Sequence, residues 1–193
     1  QHGCGGRRRC PGIGDEVAVF RSRPLGHVAM PYVYLDATYI KARNNHRVVG
    51  RAVVAATAVT IDGNREVLGV DVGDSEDEVF WTTFLRSLRD RANLALGFAA
   101  LQSGDPAGAL TALERVRLEG PQSQAALLGF GWASLQRQEP RRALVAFREL
   151  SGRSLRDAPV LEAQIAEPFA MAEAGAMGAA LQGYEKAVET FSR

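Results

Sequence analysis

The chain has 193 residues, 46% of them hydrophobic and 23% charged, with a formal net charge of +1. This is the composition of a globular protein with room for one larger domain or two small ones. Near-neutrality gives no global electrostatic case for nucleic acid or membrane binding. No run approaches the roughly 18 apolar residues that a membrane helix needs, so a cytoplasmic protein is expected.

Residues 1–14, QHGCGGRRRCPGIG, hold both cysteines, Cys4 and Cys10. Basic residues with no apolar stretch after them do not make a secretory signal. With His2 the cysteines suggest a metal clip, but zinc sites usually show two close ligand pairs and only one loose pair exists here. The segment has almost nothing to bury and reads as a flexible leader. Arg7-Arg8-Arg9 reads as a solvated run, with phosphate contact as the alternative. The first residue is Gln rather than Met, which suggests that residue 1 is not the natural start.

Residues 30–72 read as strands. The first is PYVYLDATYIKAR, residues 31–43, rich in β-branched and aromatic residues. Asp36 stands near its middle, and burying a lone carboxylate costs several kcal/mol unless something compensates it. A surface position, an ion pair and a metal ligand are the three ways out. NNHR follows as a turn, because Asn tolerates positive φ. RVVGRAVVAATAVTI is the second strand, DGNR a hairpin turn, and EVLGVDVG the third strand. Short turns between adjacent strands imply an antiparallel meander.

The period changes after Gly73. Val79, Phe80, Phe84, Leu85 and Leu88 fall at helical spacing. Ser75 and Glu78 fit a capping box, and Glu76 and Asp77 suit the positive end of the helix dipole. The pattern predicts a helix ending near Arg91, so this half reads β-β-β-α.

From Ala92 onward the chain reads as five or six helices in antiparallel pairs, with an internal repeat. Leu96–Val116 aligns with Phe130–Leu150 at constant spacing: Gly97 with Gly131, Pro106 with Pro140, Ala109 with Ala143, Leu113 with Phe147. A looser third unit puts Ala180, Tyr184 and Ala187 in the places of Ala143, Phe147 and Leu150. Small residues let paired helices approach closely, and Leu113, Phe147 and Tyr184 are expected to fill the gap to the neighbouring unit. Pro168 stands where the third unit wants a small residue. An interior Pro costs roughly 3 kcal/mol, so that unit's first helix is expected to be kinked or absent. The pattern resembles the tetratricopeptide repeat family over about residues 92–193. The resemblance implies a scaffold whose concave face takes a peptide or protein partner.

FRSRPL, PYVYLDATYIKAR, the segment RVVGRAVVAATAVTIDGNREVLGVDVGDSE and FWTTFLRSL together resemble the mutator-type bacterial insertion-sequence transposases, over roughly Asp15 to Arg89. The resemblance implies a ribonuclease-H-like catalytic core for DNA transposition by strand transfer, with Mg²⁺ as cofactor and DNA as partner. It places Asp36, in Leu35-Asp36-Ala37, as the first of three carboxylates (Asp, Asp, Glu) and as a metal ligand. Such chemistry needs acids converging on a pair of divalent ions, one activating the attacking oxygen and one stabilising the leaving oxygen.

The family's second carboxylate, in a Ser-Asp-Ala-His-like stretch, has no counterpart in this sequence, and its third lies far downstream. The family's fourth strand and N-terminal DNA-binding helices are likewise not read here. Asp71, Asp74, Glu76, Asp77 and Glu78 cluster after the third strand as candidate substitutes, but Ser75 and Glu78 already have a capping role and acidic first turns are ordinary. With one assured carboxylate, Mg²⁺ is expected to bind weakly, mostly through its own waters.

The fold expected is therefore α+β. A partial ribonuclease-H-like unit over residues 15–91 follows the leader of 1–14, and helical-hairpin repeats fill 92–193. The expected function is that of a transposase-derived protein, catalytically incomplete. Two alternatives stand beside it: a repeat scaffold, or a chimeric product with no selected function. The last is favoured by the absence of a Gly, Ser or Pro linker between Arg89 and Ala92. Three strands and one helix leave a sheet edge and a face that the full fold would cover; the repeat helices cover them, or the first half is loosely folded, a homodimer or prone to aggregate. Residues 1–91 carry 13 Lys/Arg against 11 Asp/Glu, a weak footprint for DNA. Arg43, Arg47 and Arg51 lie near the first hairpin, either solvated or touching phosphates.

Overall fold

A computed structural model of the chain describes residues 13–26, 29–44, 47–75, 77–154 and 157–192. Cys4, Cys10, His2, the arginine triplet, the centre of the NNHR turn and Glu76 lie outside them. The described elements are, in order, α1 (Ile13–Ser22), β1 (Tyr32–Asn44), β2 (Arg47–Val59), β3 (Arg65–Gly73), α2 (Glu78–Gln102), α3 (Pro106–Leu113), α4 (Ser123–Gln136), α5 (Pro140–Ser151), α6 (Ala158–Glu173) and α7 (Met177–Phe191). Two compact units divide them: Gln1–Arg23 with Ala29–Trp81, and Pro24–Val28 with Thr82–Arg193.

The first unit is an antiparallel meander of order β1-β2-β3, as the turns predict. Its second hairpin closes on Gly63, which adopts φ +83°, a conformation glycine takes without steric cost. The Gly63 N–H donates to the Thr60 carbonyl at 2.9 Å, and the Thr60 N–H to the Asn64 carbonyl at 2.8 Å. β2 shows the period of two that one covered face demands. Ala52, Val54, Ala56 and Ala58 are fully buried, while the residues between them are half-buried. A bulge at Ala56/Thr57 shifts the β2–β3 register, so that Leu68 is the extra residue and turns into the buried side. α1, which the periodicity does not predict, contacts β3.

The second unit is helical, and successive helices from α3 to α7 pack on one another. One core cluster gathers Ala109, Leu110, Leu113 and Ala133; the other gathers Phe147, Leu150, Val160 and Ala163. Close approach occurs where small residues were expected. A Cβ placed on Gly97 would lie 2.5 Å from Leu113 Cγ, and one on Gly131 2.2 Å from Phe147 Cε1. Leu113 and Phe147 thus fill the space over a glycine within their own helix pair.

Four expectations are corrected. The first helix does not end near Arg91 but runs unbroken to Gln102, because Ala92-Asn93-Leu94-Ala95-Leu96 contains no breaker and continues the apolar spacing. Ser75 and Glu78 do not form a capping box. Instead Asp77 caps α2, its Oδ1 accepting from the Phe80 N–H at 2.8 Å, and Ser75 Oγ donates to Asp77 Oδ2 at 2.9 Å. α6 is present, not absent, with Pro168 inside it. There the roles are exchanged, for Gly183 on α7 leaves room for the ring, and a Cβ on it would meet Pro168 Cβ at 2.8 Å. Tyr184 does not fill a gap in the core but is exposed, since Gly183 and Ala187 already bring α7 close to α6.

Candidate functional site

Asp36 sits in the middle of β1, opposite Ala55, which in turn lies opposite Val70. Directly opposed residues share a face of the sheet, so Asp36 shares its face with Ala55 and Val70. This is the less covered face, and Asp36 is exposed. Of the three ways to place a carboxylate in this strand, the structure shows the surface position. Among the described residues Asp36 has no hydrogen-bond or ion-pair partner.

Among the described acids near the sheet, Asp71, Asp74 and Asp77 are occupied. Asp71 lies opposite Val54, hence on the buried face and turned away from Asp36. The Arg21 guanidinium donates to its Oδ1, and the same oxygen accepts from the Val72 N–H at 3.0 Å. Asp74 is paired with Arg51. Arg51 stands opposite Ile40, four residues along the strand from Asp36, roughly 13 Å at 3.3–3.4 Å per residue. Asp77 is spent as the cap of α2. Its carboxyl is held below the usual carboxylate value, first by the Phe80 N–H and then by the Ser75 hydroxyl. Glu78 is the first residue of α2 and lies in its opening turn.

This arrangement does not fit a two-ion site. Mg²⁺ takes carboxylate oxygens at about 2.0–2.1 Å, and paired catalytic ions stand about 3.5–4 Å apart. Ligands must therefore converge from one side. Asp36 and Asp71 project from opposite faces, and Asp71 is neutralised by its arginine. Among the described residues no group of three His, Cys, Asp or Glu is placed to hold a metal ion.

Of the three arginines noted near the first hairpin, Arg51 is engaged by Asp74, whereas Arg43 and Arg47 are exposed. Arg47 and Arg51 share the Asp36 face of β2, and Arg43 lies on the other face.

The sequence reading missed a buried ion pair in the second unit. Asp90 on α2 is 1% exposed and accepts from Arg117 Nε at 2.6 Å. Its other oxygen is buried without a hydrogen bond. Asp90 and Arg117 are far apart along the chain, and neither position carries a local signal. Only the helical period, which puts Asp90 on the same side of α2 as the buried Asn93 and Gly97, points to a carboxylate facing inward.

No helix among the described residues is long and apolar enough to cross a membrane.

The model of the family described as "Transposase, Mutator family" matches residues 9–108. The match runs through Arg91 and takes in the rest of α2 and the start of α3. It ends three residues past Asp105, whose Oδ1 accepts from the Gly108 N–H at 2.9 Å as the cap of α3. The transposase for insertion sequence element IS406 of Burkholderia multivorans is 35% identical over 136 residues, 69% of this chain and 34% of that protein. The transposase for IS1081 of Mycobacterium tuberculosis is 39% identical over 103 residues, 52% of this chain and 24% of that protein. The transposase for IS256 in transposon Tn4001 of Staphylococcus aureus is 36% identical over 72 residues, 37% of this chain and 18% of that protein. The chain spans about a third or less of the length of these relatives.

Proposed function

The chain belongs to the Mutator family of transposases, and on that premise we propose that it carries the opening part of a DDE-type DNA strand-transfer core and is catalytically incomplete as it stands. In this reading β1 to β3 and α2 are the first elements of a ribonuclease-H-like fold. Asp36 occupies the place of the first metal-binding carboxylate. The observation that carries the reading is the family match over residues 9–108, which includes Leu35-Asp36-Ala37 on an exposed, open sheet face. A ligand for a shared ion has to be reachable in this way.

Incompleteness rests on what the neighbouring acids already do. Asp71 holds Arg21, Asp74 holds Arg51 and Asp77 caps α2. To recruit one of them to an ion beside Asp36 would break its present contact, and for Asp71 it would also require crossing the sheet. We derive no step through Mg²⁺, because these residues do not fit a paired-ion site. DNA is the proposed partner of the first unit, with Arg47 on the Asp36 face as a phosphate contact. Exposed single arginines add affinity without sequence information.

The helical segment from residue 92 onward is proposed to be tetratricopeptide-like. Two glycine–large residue contacts, Gly97 with Leu113 and Gly131 with Phe147, recur at the spacing of the sequence repeat and support that reading.

The test is nicking and strand transfer on labelled DNA by the purified chain with Mg²⁺ or Mn²⁺. We expect no activity above that of Asp36→Ala. Metal-dependent cleavage that disappears in Asp36→Ala would overturn the proposed incompleteness. A loss of DNA binding in Arg47→Ala, measured at fixed salt, would support the proposed contact.

A further inference from the structure

FRSRPL, residues 20–25, lies outside the strands, but two of its side chains reach β3. The Arg21 guanidinium is paired with Asp71. Arg23 Nη2 lies 2.7 Å from Glu66 Oε1 and donates to the Val67 carbonyl at 2.5 Å. Glu66 and Val67 stand just before the extra residue Leu68, and Asp71 stands three residues after it. The two arginines therefore grip β3 on either side of its bulge.

That bulge runs against the hydrophobic pattern. Leu68, Val70 and Val72 alternate with Val67, Gly69 and Asp71, and a period of two puts alternate residues on one face. Without the bulge, β3 would continue the pairing of its hairpin end, where Thr57 opposes Val67. Ala56 would then oppose Leu68, Val54 would oppose Val70 and Ala52 would oppose Val72. All three apolar side chains would join the fully buried row of β2. In the observed register that row is opposed by Gly69, Asp71 and Gly73 instead, and Val72 is 54% exposed. Register normally follows the hydrophobic pattern, so something specific holds β3 one residue out of it.

We infer that Arg21 and Arg23 are that lock: they hold the bulge, and when they let go β3 slips by one residue into the unbulged register. Such a slip moves side chains to the other face. Asp71 would leave the buried face and come to lie opposite Val53, on the face of Asp36. The arginines are thus positioning residues that keep a second carboxylate off that face. Arg23 suits the task, because its planar fork reaches a carboxylate and the carbonyl of the next residue together. A fork fixes a place along the strand where a point charge would not. Phe80 is the competing holder. A Cβ on Gly73 would lie 2.9 Å from its ring, so the ring fills space that Val72 would enter after a slip. The inference rests on the fold and does not depend on the proposed function.

The experiment uses the full chain in a Cys4→Ser/Cys10→Ser background, with one pair of cysteines introduced across β2 and β3. Residue 70 faces residue 55 in the observed register and residue 54 after a slip, and a disulfide needs Cβ atoms that point at each other. Ala55→Cys/Val70→Cys should therefore close readily under mild oxidation, and Val54→Cys/Val70→Cys should not. Trypsin cuts after Arg51, Arg65 and Arg86, so mass spectrometry reads either link between two separate peptides. Adding Arg21→Gln and Arg23→Gln should raise the rate of the 54/70 pair relative to the 55/70 pair at least about tenfold, the effect of losing one hydrogen bond to a charged group. General loosening would raise both rates alike, and a strand held by Phe80 alone would leave both unchanged. Either result would overturn the lock, as would a 54/70 pair that closes as readily as 55/70 with both arginines in place. If the double variant does not fold, Arg23→Lys decides: it keeps the charge without the fork and should shift the ratio the same way, and an unchanged ratio would overturn the inference.

Discussion

Gly131→Ala probes whether the helices of the second unit are as close as their small residues demand. The added methyl would lie 2.2 Å from Phe147 Cε1 and 2.4 Å from Cζ, far inside van der Waals contact. Phe147 is fully buried and packs edge-on against Trp132 at 5.6 Å between ring centroids, so the ring has little room to retreat. Overpacking of this kind costs about 1–3 kcal/mol. Against it stands the gain of about 0.8–1 kcal/mol for Ala over Gly in a helix interior. The net expectation is a chain less stable by roughly 0–2 kcal/mol. Gly178→Ala is the control, since a Cβ there meets nothing within 4 Å and only the propensity gain remains. Urea unfolding followed by circular dichroism, at constant m-value, reads both. Phe147→Leu should recover part of the loss in the Gly131→Ala background, as coupled neighbours do. Equal stability of Gly131→Ala and Gly178→Ala would refute the close packing of α4 against α5.

Arg117→Met strips the buried Asp90 of its charge partner and should cost about 3 kcal/mol, the low end for breaking a buried pair because Arg117 itself is a third exposed. Adding Asp90→Leu should restore most of the loss in the same urea assay. Asp77→Ala removes the α2 cap and should lower stability at pH 7. A carboxylate whose folded pKa is depressed contributes above its unfolded value, about 3.9, and loses that contribution as pH falls through the folded one. The difference between wild type and Asp77→Ala should therefore start to shrink below about pH 4 and vanish only once the pH lies below the depressed folded value. Asp36→Ala removes an exposed group without partners and should leave stability within about 0.5 kcal/mol, which thermal unfolding would check.

The sheet was legible because its signals are local. β-branched runs bounded by Asn-Asn and Asp-Gly set strands within one or two residues of Tyr32–Asn44, Arg47–Val59 and Arg65–Gly73. The close helix contacts were legible in the recurrence of Gly97 and Gly131 against Leu113 and Phe147. The end of α2 was not, because the resemblance read from the sequence stops at Arg89, whereas nothing in Ala92–Leu96 breaks the helix and the family match runs on to residue 108. The cap was misplaced by two residues because Ser75 and Asp77 are both good caps, and only the geometry of the entering chain chooses between them. The fate of the acids was hidden for a related reason. The one-residue difference between Asp71 and Val70 decides which face a carboxylate joins, and that follows from a bulge at Ala56/Thr57 that no residue type announces. The Asp90–Arg117 pair depends on tertiary packing between segments distant in the chain.

What matters most for function is that, among the described residues, no group of three acids, His or Cys is placed to hold an ion at Asp36. A crystal of the chain grown with Mn²⁺ tests this most directly, through anomalous scattering. The expected result is either no ordered ion at Asp36 or one held by that carboxylate and water alone. An ion bound jointly by Asp36 and two further carboxylates of the chain would contradict it.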